Sequence, residues 1–287
     1  MDLSDMDLTG RDLRGADLRG ANLSRCILTR ARLDGARLSD AKLAGTILLE
    51  ASLTSADLTR ADLTGANLTL AKADGASFEG AKLNKANAPK VSLRTAKLRG
   101  ASLEAASMEG ADLSGADLRA ANLTRVILDG ATIDAMDASE SNCVEARFLG
   151  ARGEMVSFER AKLSGAAFSD ALLRGASFVQ ADGAGAVFLG ASLEEADLRW
   201  VSLERACLAN LRAPRARLEA ANLRDARLYR ADLTKADLRN ANLYRADLGM
   251  SVLEGAKLGG ANLYDAIRDG ARTTGCDMTG ALLRGGR

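Results

Sequence analysis

Leucine recurs at every fifth residue along this chain, and small and polar residues fill the places between. The pattern is clearest over 56–70, where Ala56-Asp57-Leu58-Thr59-Arg60 is followed by two near copies of itself. The Leu of each five-residue repeat is termed the centre. From Leu3 to Leu283 there are 57 centres without a change of phase, of which 39 are Leu and 6 are Phe. Self-similarity of this kind is typical of stacked-repeat proteins.

Neither a helix nor a flat strand explains a period of five. Apolar residues five apart advance about 500° around a helix, so they would spread over all of its sides. In a strand, an odd period would place successive Leu side chains on opposite faces. A chain that turns one corner per repeat directs every centre toward one axis, with the small residue two places earlier beside it. The other three positions of each repeat are predicted to face water.

A slower period, four repeats long, predicts how many repeats make one coil. Phe148, Phe168 and Phe188 recur at every fourth centre, and Tyr244 and Tyr264 recur at the same interval. Like residues on successive coils stack into ladders, so the sequence predicts four repeats per coil. Six Asn residues that directly precede a centre share one phase of the same period: Asn22, Asn122, Asn142, Asn222, Asn242 and Asn262.

The A-(D/N)-L-x-x repeat, as in Ala16-Asp17-Leu18 and Ala241-Asn242-Leu243, resembles the pentapeptide-repeat family over essentially all 287 residues. This resemblance implies an all-β solenoid, specifically a right-handed quadrilateral parallel β-helix with four pentapeptides per coil. We therefore expect a single domain over 1–287, with about fourteen coils and a length of about 70 Å. The resemblance also suggests a bacterial protein that resides in the cytoplasm.

The cysteines and the apolar content agree with a cytoplasmic location. Cys26, Cys143 and Cys276 fall at inward positions, and Cys207 falls at an outward one. The closest pair is expected to lie roughly 15 Å apart, beyond the reach of a disulfide, so all four are predicted to be reduced. No apolar run reaches the roughly 20 residues of a membrane helix. The acidic, repeat-bearing start is unlike a signal peptide.

The residues that usually carry out catalysis are scarce. The sequence has no His, no zinc-like Cys spacing and no phosphate-binding Gly loop, since its 28 Gly mostly follow the five-residue period. The carboxylate pairs Glu194–Glu195 and Asp137–Glu140 are conceivable acid–base groups, although a solvated face is the favoured interpretation. We expect no catalytic, cofactor or metal site, and hence no enzyme.

Charge bears on a known activity of the family that this chain resembles. Some members of the pentapeptide-repeat family mimic duplex DNA, bind DNA gyrase and protect it from drugs or toxins. The resemblance implies that this chain is a candidate for the same activity. Duplex DNA carries about one negative charge per 1.7 Å, whereas this chain has 38 acidic and 39 basic residues. When outward charges are sorted onto four sides, no side becomes DNA-like. The same neutrality argues against nucleic-acid binding.

Two outward features are candidate surfaces for a protein partner. The side that starts at Leu8 has few charges and bears an apolar strip, although the preference of β-branched residues for strands explains it equally well. Exposed Trp and Tyr residues, which are common at binding hot spots, occur in the last third of the chain, where an ordinary wet surface is an equal alternative. The strip comprises Ile27, Ile47, Leu49, Leu70, Ile127, Leu149, Val187, Leu189 and Ile267, and the aromatic residues are Trp200, Tyr229, Tyr244 and Tyr264.

These observations predict a non-enzymatic, rod-like protein–protein interaction or scaffold module. Its partner is a protein whose identity the sequence leaves open. The alternative is a DNA mimic that protects DNA gyrase, which the neutral charge disfavours. A homodimer formed end to end and a place within a larger assembly are further hypotheses. No membrane or nucleic-acid partner is expected.

Overall fold

A computed structural model of the protein describes residues 1–283. The chain divides into two compact units, Met1–Arg147 and Phe148–Arg287. Within residues 1–283 the only regular structure is a five-residue element: one residue in a parallel β-bridge, the centre, two turn residues and a connecting residue. In both units the bridges join residues four repeats apart, such as Asn22–Lys42 and Asn242–Asn262. Four pentapeptides therefore complete one coil, as predicted. The single domain expected over 1–287 stays a prediction.

The five positions of each repeat are named small, pairing, centre, turn and corner, in chain order. Ala56, Asp57, Leu58, Thr59 and Arg60 occupy them in one repeat. The columns of bridged pairing residues define four sides. The sides of the second unit are numbered by the same interval of four repeats. The first pairing residues are Asp2 and Asn22 on side 1, Asp7 and Ile27 on side 2, Asp12 and Arg32 on side 3, and Asp17 and Arg37 on side 4.

Hydrogen bonds between coils explain the period. The N–H of Leu23 donates to the carbonyl of Lys42 on the next coil at 2.7 Å, and the N–H of Asn22 donates back to Met1 at 2.9 Å. A tight turn at each corner closes with a bond such as that from the N–H of Ala21 to Leu18, at 3.0 Å. Every corner residue from Asp5 to Gly280 has a positive φ. That conformation favours Gly, which accounts for the Gly residues that follow the period.

The turn position explains both the Asp/Asn preference and the two prolines. Within residues 1–283 its amide has no backbone acceptor, and an Asp or Asn side chain at the pairing position often accepts from it. In one repeat the N–H of Thr59 donates to Oδ1 of Asp57 at 3.0 Å. Pro89 and Pro214 both occupy this position, where the missing N–H removes no backbone hydrogen bond. The bond from the N–H of Leu70 to the carbonyl of Pro89 shows that the ladder continues through it.

Centres and small residues form the core, as predicted. Cys26 and Cys143 are buried, and all four cysteines are free thiols. Cys276, which was expected in the core, is only half-buried, and of the neighbouring polar centres Arg268 is half-buried and Thr273 is exposed. A small apolar cavity of about 10 Å³ adjoins Ala88 in the first unit, where Ala replaces the usual Leu centre.

Five Phe centres fill the core of the second unit in two ladders. Phe148, Phe168 and Phe188 stack with centroid separations of 4.8 and 4.7 Å. Phe158 and Phe178 stack at 5.2 Å, and the two ladders meet edge to face. The prediction that these Phe residues are core packing is confirmed. The stacked Phe residues are four repeats apart in the sequence, which agrees with four repeats per coil.

Candidate interaction surface

The structure places every residue of the predicted surface outward, but it does not join them into one strip. Ile27 bridges Ile47 in the first unit. The same column then runs through Asn67, Asn87 and Ser107 before it reaches Ile127. Polar residues therefore interrupt the strip. The exposed residues of the predicted set are Ile27, Leu70, Leu189, Trp200, Tyr229, Tyr264 and Ile267, and the half-buried ones are Ile47, Leu49, Ile127, Leu149, Val187 and Tyr244.

Side 2 of the second unit carries a continuous uncharged patch. Val187 bridges both Ala167 and Cys207, and Leu189 and Ala209 occupy the turn positions beside this column. Leu189 is 43% exposed. These five residues are named the apolar patch. Phe168 and Phe188, the centres directly beneath it, stack on each other. The apolar patch is therefore supported from below by two stacked aromatic rings.

Tyr229 lies on the same side as the apolar patch, one coil beyond Ala209. Its ring covers Gly249, where an added Cβ would come within 3.1 Å of Cδ2. The guanidinium of Arg230 lies 5.2 Å from the ring centroid. The ring is therefore held flat against the surface with part of it exposed. Only Gly at position 249 gives it room to lie this way.

Tyr244 and Tyr264 form a separate aromatic stack on side 1. Their centroids are 5.9 Å apart, and the guanidinium of Arg224 lies 5.3 Å from the ring of Tyr244. An Asn ladder runs beside them, with Asn242 Nδ2 donating to Asn222 Oδ1 at 3.1 Å. Both ladders confirm the four-repeat interpretation of the sequence.

The aromatic residues of the last third therefore do not make one cluster. Trp200 occupies a corner, with the guanidinium of Arg199 5.1 Å from its ring centroid. Arg199 itself is forked onto Asp197 at 2.7 and 2.8 Å. Among the described residues, the rings of Trp200 and Tyr229 contact no other aromatic ring. Cation–π contacts with neighbouring Arg residues are what the three sites share.

Further apolar residues are exposed outside the predicted set. Leu172 is 48% exposed at a pairing position of side 3, and Met155 and Met250 are exposed at corners. The sequence signal for them was present, since each is an apolar residue at an outward position. Met155 and Leu172 belong to adjacent repeats of side 3, whereas Met250 directly follows Gly249, which the ring of Tyr229 covers.

Ion pairs form both within a repeat and between neighbouring coils, as with Arg14–Asp12 and Arg37–Asp17. In the sequence Asp-Leu-Arg the two charged side chains point the same way, so Arg14 forks onto Asp12 and Arg19 onto Asp17. Hydrogen bonds from these guanidinium groups lower the pKa of both carboxyls to about 2. Groups with pKa values this low stay ionised near neutral pH and do not serve as general acids.

The carboxylate pairs considered in the sequence are also held by Arg. Arg215 contacts Glu194 at 2.6 Å and Glu195 at 3.1 Å. Asp137 accepts from the hydroxyl of Ser139 at 2.6 Å and lies 3.7 Å from Arg119. Burial raises the pKa of the Cys143 thiol to about 12. Residues 1–283 contain no metal-binding group of carboxylates and thiols and no helix that could span a bilayer.

The sequence matches the family model described as pentapeptide repeats in eight copies, which together reach from residue 2 to residue 285. The matched ranges are 2–40, 36–72, 66–100, 96–134, 156–182, 166–205, 215–249 and 251–285. No curated protein matches the chain.

Several solved structures are similar to this chain. HetL, a pentapeptide repeat protein involved in heterocyst differentiation regulation from Nostoc sp. strain PCC 7120, is 27% identical, covering 96% of this chain and 89% of HetL with a TM-score of 0.31. A pentapeptide repeat protein from the Arabidopsis thaliana thylakoid lumen is 34% identical over 39% of this chain and 70% of its own, with a TM-score of 0.22. Full-length QnrB1, a plasmid-mediated fluoroquinolone resistance protein, is 18% identical over 74% and 93%, with a TM-score of 0.24.

Proposed function

This chain belongs to the pentapeptide-repeat family, and we propose that it is a protein-binding module whose repeats carry a docking surface. We also infer the finer architecture from the family, a right-handed four-sided β-helix. With four pentapeptides per coil, the chain of 287 residues gives about fourteen coils. The bacterial cytoplasm is the compartment that we propose.

The apolar patch is the observation that carries this proposal. Charged residues make up 27% of the chain, yet the outward positions of side 2 between 187 and 210 hold none. They are Val187, Leu189, Gly190, Cys207, Ala209 and Asn210. The centres of protein interfaces are depleted of charge in the same way.

Residues at the rim of the patch support a protein partner. Tyr229 and Arg230 adjoin it, and Tyr and Arg are enriched at binding hot spots because they combine apolar area with hydrogen-bonding groups. Arg227 is bridged to Cys207 and makes no ion pair with a described residue. An apolar centre with Tyr and Arg at its rim matches the usual anatomy of an interface.

Comparative pull-down from a cell extract tests the proposal. The patch variant is Leu189→Asp, and the control is Leu172→Asp, which changes an equally exposed Leu on side 3. We expect partners captured by the wild type to be lost with Leu189→Asp and kept with Leu172→Asp. Equal capture by both variants, with unchanged circular dichroism, would remove the patch as the docking surface.

Gyrase protection by DNA mimicry is the second candidate, and one observation favours it. Residues 101–140 hold eight carboxylates and two guanidinium groups. Two coils span about 10 Å, so a net charge of −6, from 2 minus 8, approaches the local density of duplex DNA at about one charge per 1.7 Å. The preceding coil, 81–100, is purely basic, which limits the likeness to these two coils.

A DNA-gyrase supercoiling assay, with and without a gyrase-trapping drug, tests this second candidate. Because of the neighbouring basic coil, we expect no effect of the purified protein. Inhibition or protection at about micromolar protein or below would favour gyrase protection over docking through the apolar patch.

A further inference from the structure

Charge in the first unit is segregated along the coils, although each side is nearly neutral. Residues 81–100 form a basic belt without a single carboxylate, and residues 101–140 form an acidic belt. The basic belt comprises Lys82, Lys85, Lys90, Arg94, Lys97 and Arg99, all exposed. The acidic belt comprises Glu104, Glu109, Asp112, Asp117, Asp129, Asp134, Asp137 and Glu140, with Arg119 and Arg125 among them.

The two belts neutralise each other very little. Arg94 contacts Asp112 at 3.0 Å, and this is the one ion pair between the belts among the described residues. The other five cations of the basic belt make no ion pair with a described residue. Inside the acidic belt, Arg119 forks onto Asp117 and lies 3.7 Å from Asp137, and Arg125 contacts Glu104 through one nitrogen. The basic belt therefore keeps most of its charge, next to coils in which carboxylates outnumber guanidinium groups by eight to two.

On side 4 this charge is arranged antisymmetrically. Lys97 bridges Asp117, and Asp117 bridges Asp137, so three pentapeptides lie in adjacent rows about 4.8 Å apart. The outward residues of the first row, Lys97 and Arg99, sum to +2. The middle row, Asp117 and Arg119, sums to zero, and the third row carries Asp137 and Glu140 and sums to −2.

The other sides of the belts lack this symmetry. The corresponding rows of side 1 carry +2, −1 and +1, because Lys82 and Lys85 are followed by Glu104 and then Arg125. Sides 2 and 3 each carry +1, −1 and −1. The corners of the first two rows of side 4 are Gly100 and Ala120, which leave this side open to close approach.

We propose that side 4 of the first unit is a self-association surface that pairs with the same side of a second copy. A two-fold axis through the middle row places the Lys97–Arg99 row of each copy against the Asp137–Glu140 row of the other. Such an isologous contact makes the same complementary pairing twice. The neutral middle rows face each other at the centre, each with Arg119 forked onto its own Asp117 and 3.7 Å from its own Asp137.

A uniformly acidic partner or a nucleic acid fits this surface less well. Either would be drawn to Lys97 and Arg99 but repelled by Asp137 and Glu140 about 10 Å away, near the Debye length of about 8–10 Å in ordinary buffers. A second copy turned by the two-fold axis meets opposite charge at both rows. Because exposed ion pairs are individually weak and screened by salt, we infer a salt-sensitive dimer.

Sedimentation velocity of the full chain at about 50 mM and about 500 mM salt measures this dimer. The two charge-reversal variants are Lys97→Glu with Arg99→Glu, and Asp137→Lys with Glu140→Lys. The matched control is Lys82→Glu with Lys85→Glu, which makes the same change in net charge in the same coil on side 1. Circular dichroism checks that these outward substitutions leave the fold intact.

We expect twice the monomer mass at low salt for the wild type and the control, and monomer mass for each reversal variant alone. An equimolar mixture of the two reversal variants should return to twice the monomer mass, because each supplies the row that the other has lost.

A monomeric wild type at low salt, or a mixture that stays monomeric, would overturn the proposal. A dimer that neither salt nor these variants affect would assign the contact elsewhere, for example end to end, and would overturn it as well. Binding of a fluorescent poly-glutamate peptide to a monomeric wild type, lost with Lys97→Glu and Arg99→Glu, would instead assign the surface to an acidic partner.

Discussion

Phe148 and Phe168 lie face to face in the core of the second unit, with parallel rings whose centroids are 4.8 Å apart. The contact arises because the two residues are centres of the same side on successive coils. Phe188 extends the stack at 4.7 Å. A column of this kind couples each coil to the next, which is how repeat proteins gain cooperativity.

Phe168→Leu is expected to destabilise the protein more than Phe78→Leu does. Phe168 contacts four other Phe rings, whereas Phe78 has no ring contact among the described residues. Since aromatic pairs add about 0.5–1.5 kcal/mol beyond their buried area, we expect a difference of about 2 kcal/mol in the free energy of unfolding. Urea titration of both variants measures it. Equal losses would mean that the ladders contribute only buried area.

Much of the fold could be predicted because one period controls both local conformation and packing. Centres such as Leu58 and small residues such as Ala56 point inward wherever the phase is kept. The recurrence of Phe168 and Phe188 at every fourth centre added the coil length. Positive φ at corners such as Trp200 could not be read from residue type, since the turn imposes it on whatever residue stands there.

The candidate surface was less predictable because it depends on which residues become neighbours between coils. Tyr244 and Tyr264 hold the same position four repeats apart, and they stack as the period implies. Tyr229 stands three repeats before Tyr244, which places it on another side. Its position against Gly249 depends on a side-chain conformation that the period does not determine. The charge belts run along the coils, and they cancel in the total charge of each side, so the near-neutral sides gave no sign of them.

Thr95→Gly is expected to stabilise the protein. Thr95 is a β-branched residue at a corner with a φ of +53°, which is strained for such side chains. Gly removes a strain of about 1–2 kcal/mol but loosens the unfolded chain, so we expect a net gain of about 1 kcal/mol. Thr54→Gly, at a turn position, should destabilise instead. Thermal unfolding of both variants checks the prediction, and a loss of stability with Thr95→Gly would contradict it.

Gly190→Ala is expected to cost more stability than Gly150→Ala. Both residues are corners with a positive φ, +68° and +61°, so both substitutions share the strain of the left-handed region. An added Cβ at Gly190 would come within 2.6 Å of Oδ1 of Asp170, whereas Gly150 has nothing within 4 Å. We expect an additional loss of about 1 kcal/mol at Gly190. Denaturant midpoints measure it, and Asp170→Ala in the same chain should recover the difference.

The stability of the first coil is expected to fall in acid, with a midpoint set by its Asp–Arg forks. Hydrogen bonds from Arg14 and Arg19 lower the pKa of Asp12 and Asp17 to about 2, from an ordinary 3.8. A carboxyl whose folded pKa is lowered stabilises the fold above its unfolded pKa, and this contribution is lost as pH falls from about 4 to about 2.

Carboxyl ¹³C NMR titration should therefore find both groups ionised at pH 3. Arg14→Gln should return the pKa of Asp12 toward its ordinary value and leave that of Asp17 near 2. Titration of wild-type Asp12 near 3.8 would show that the fork does not persist in solution.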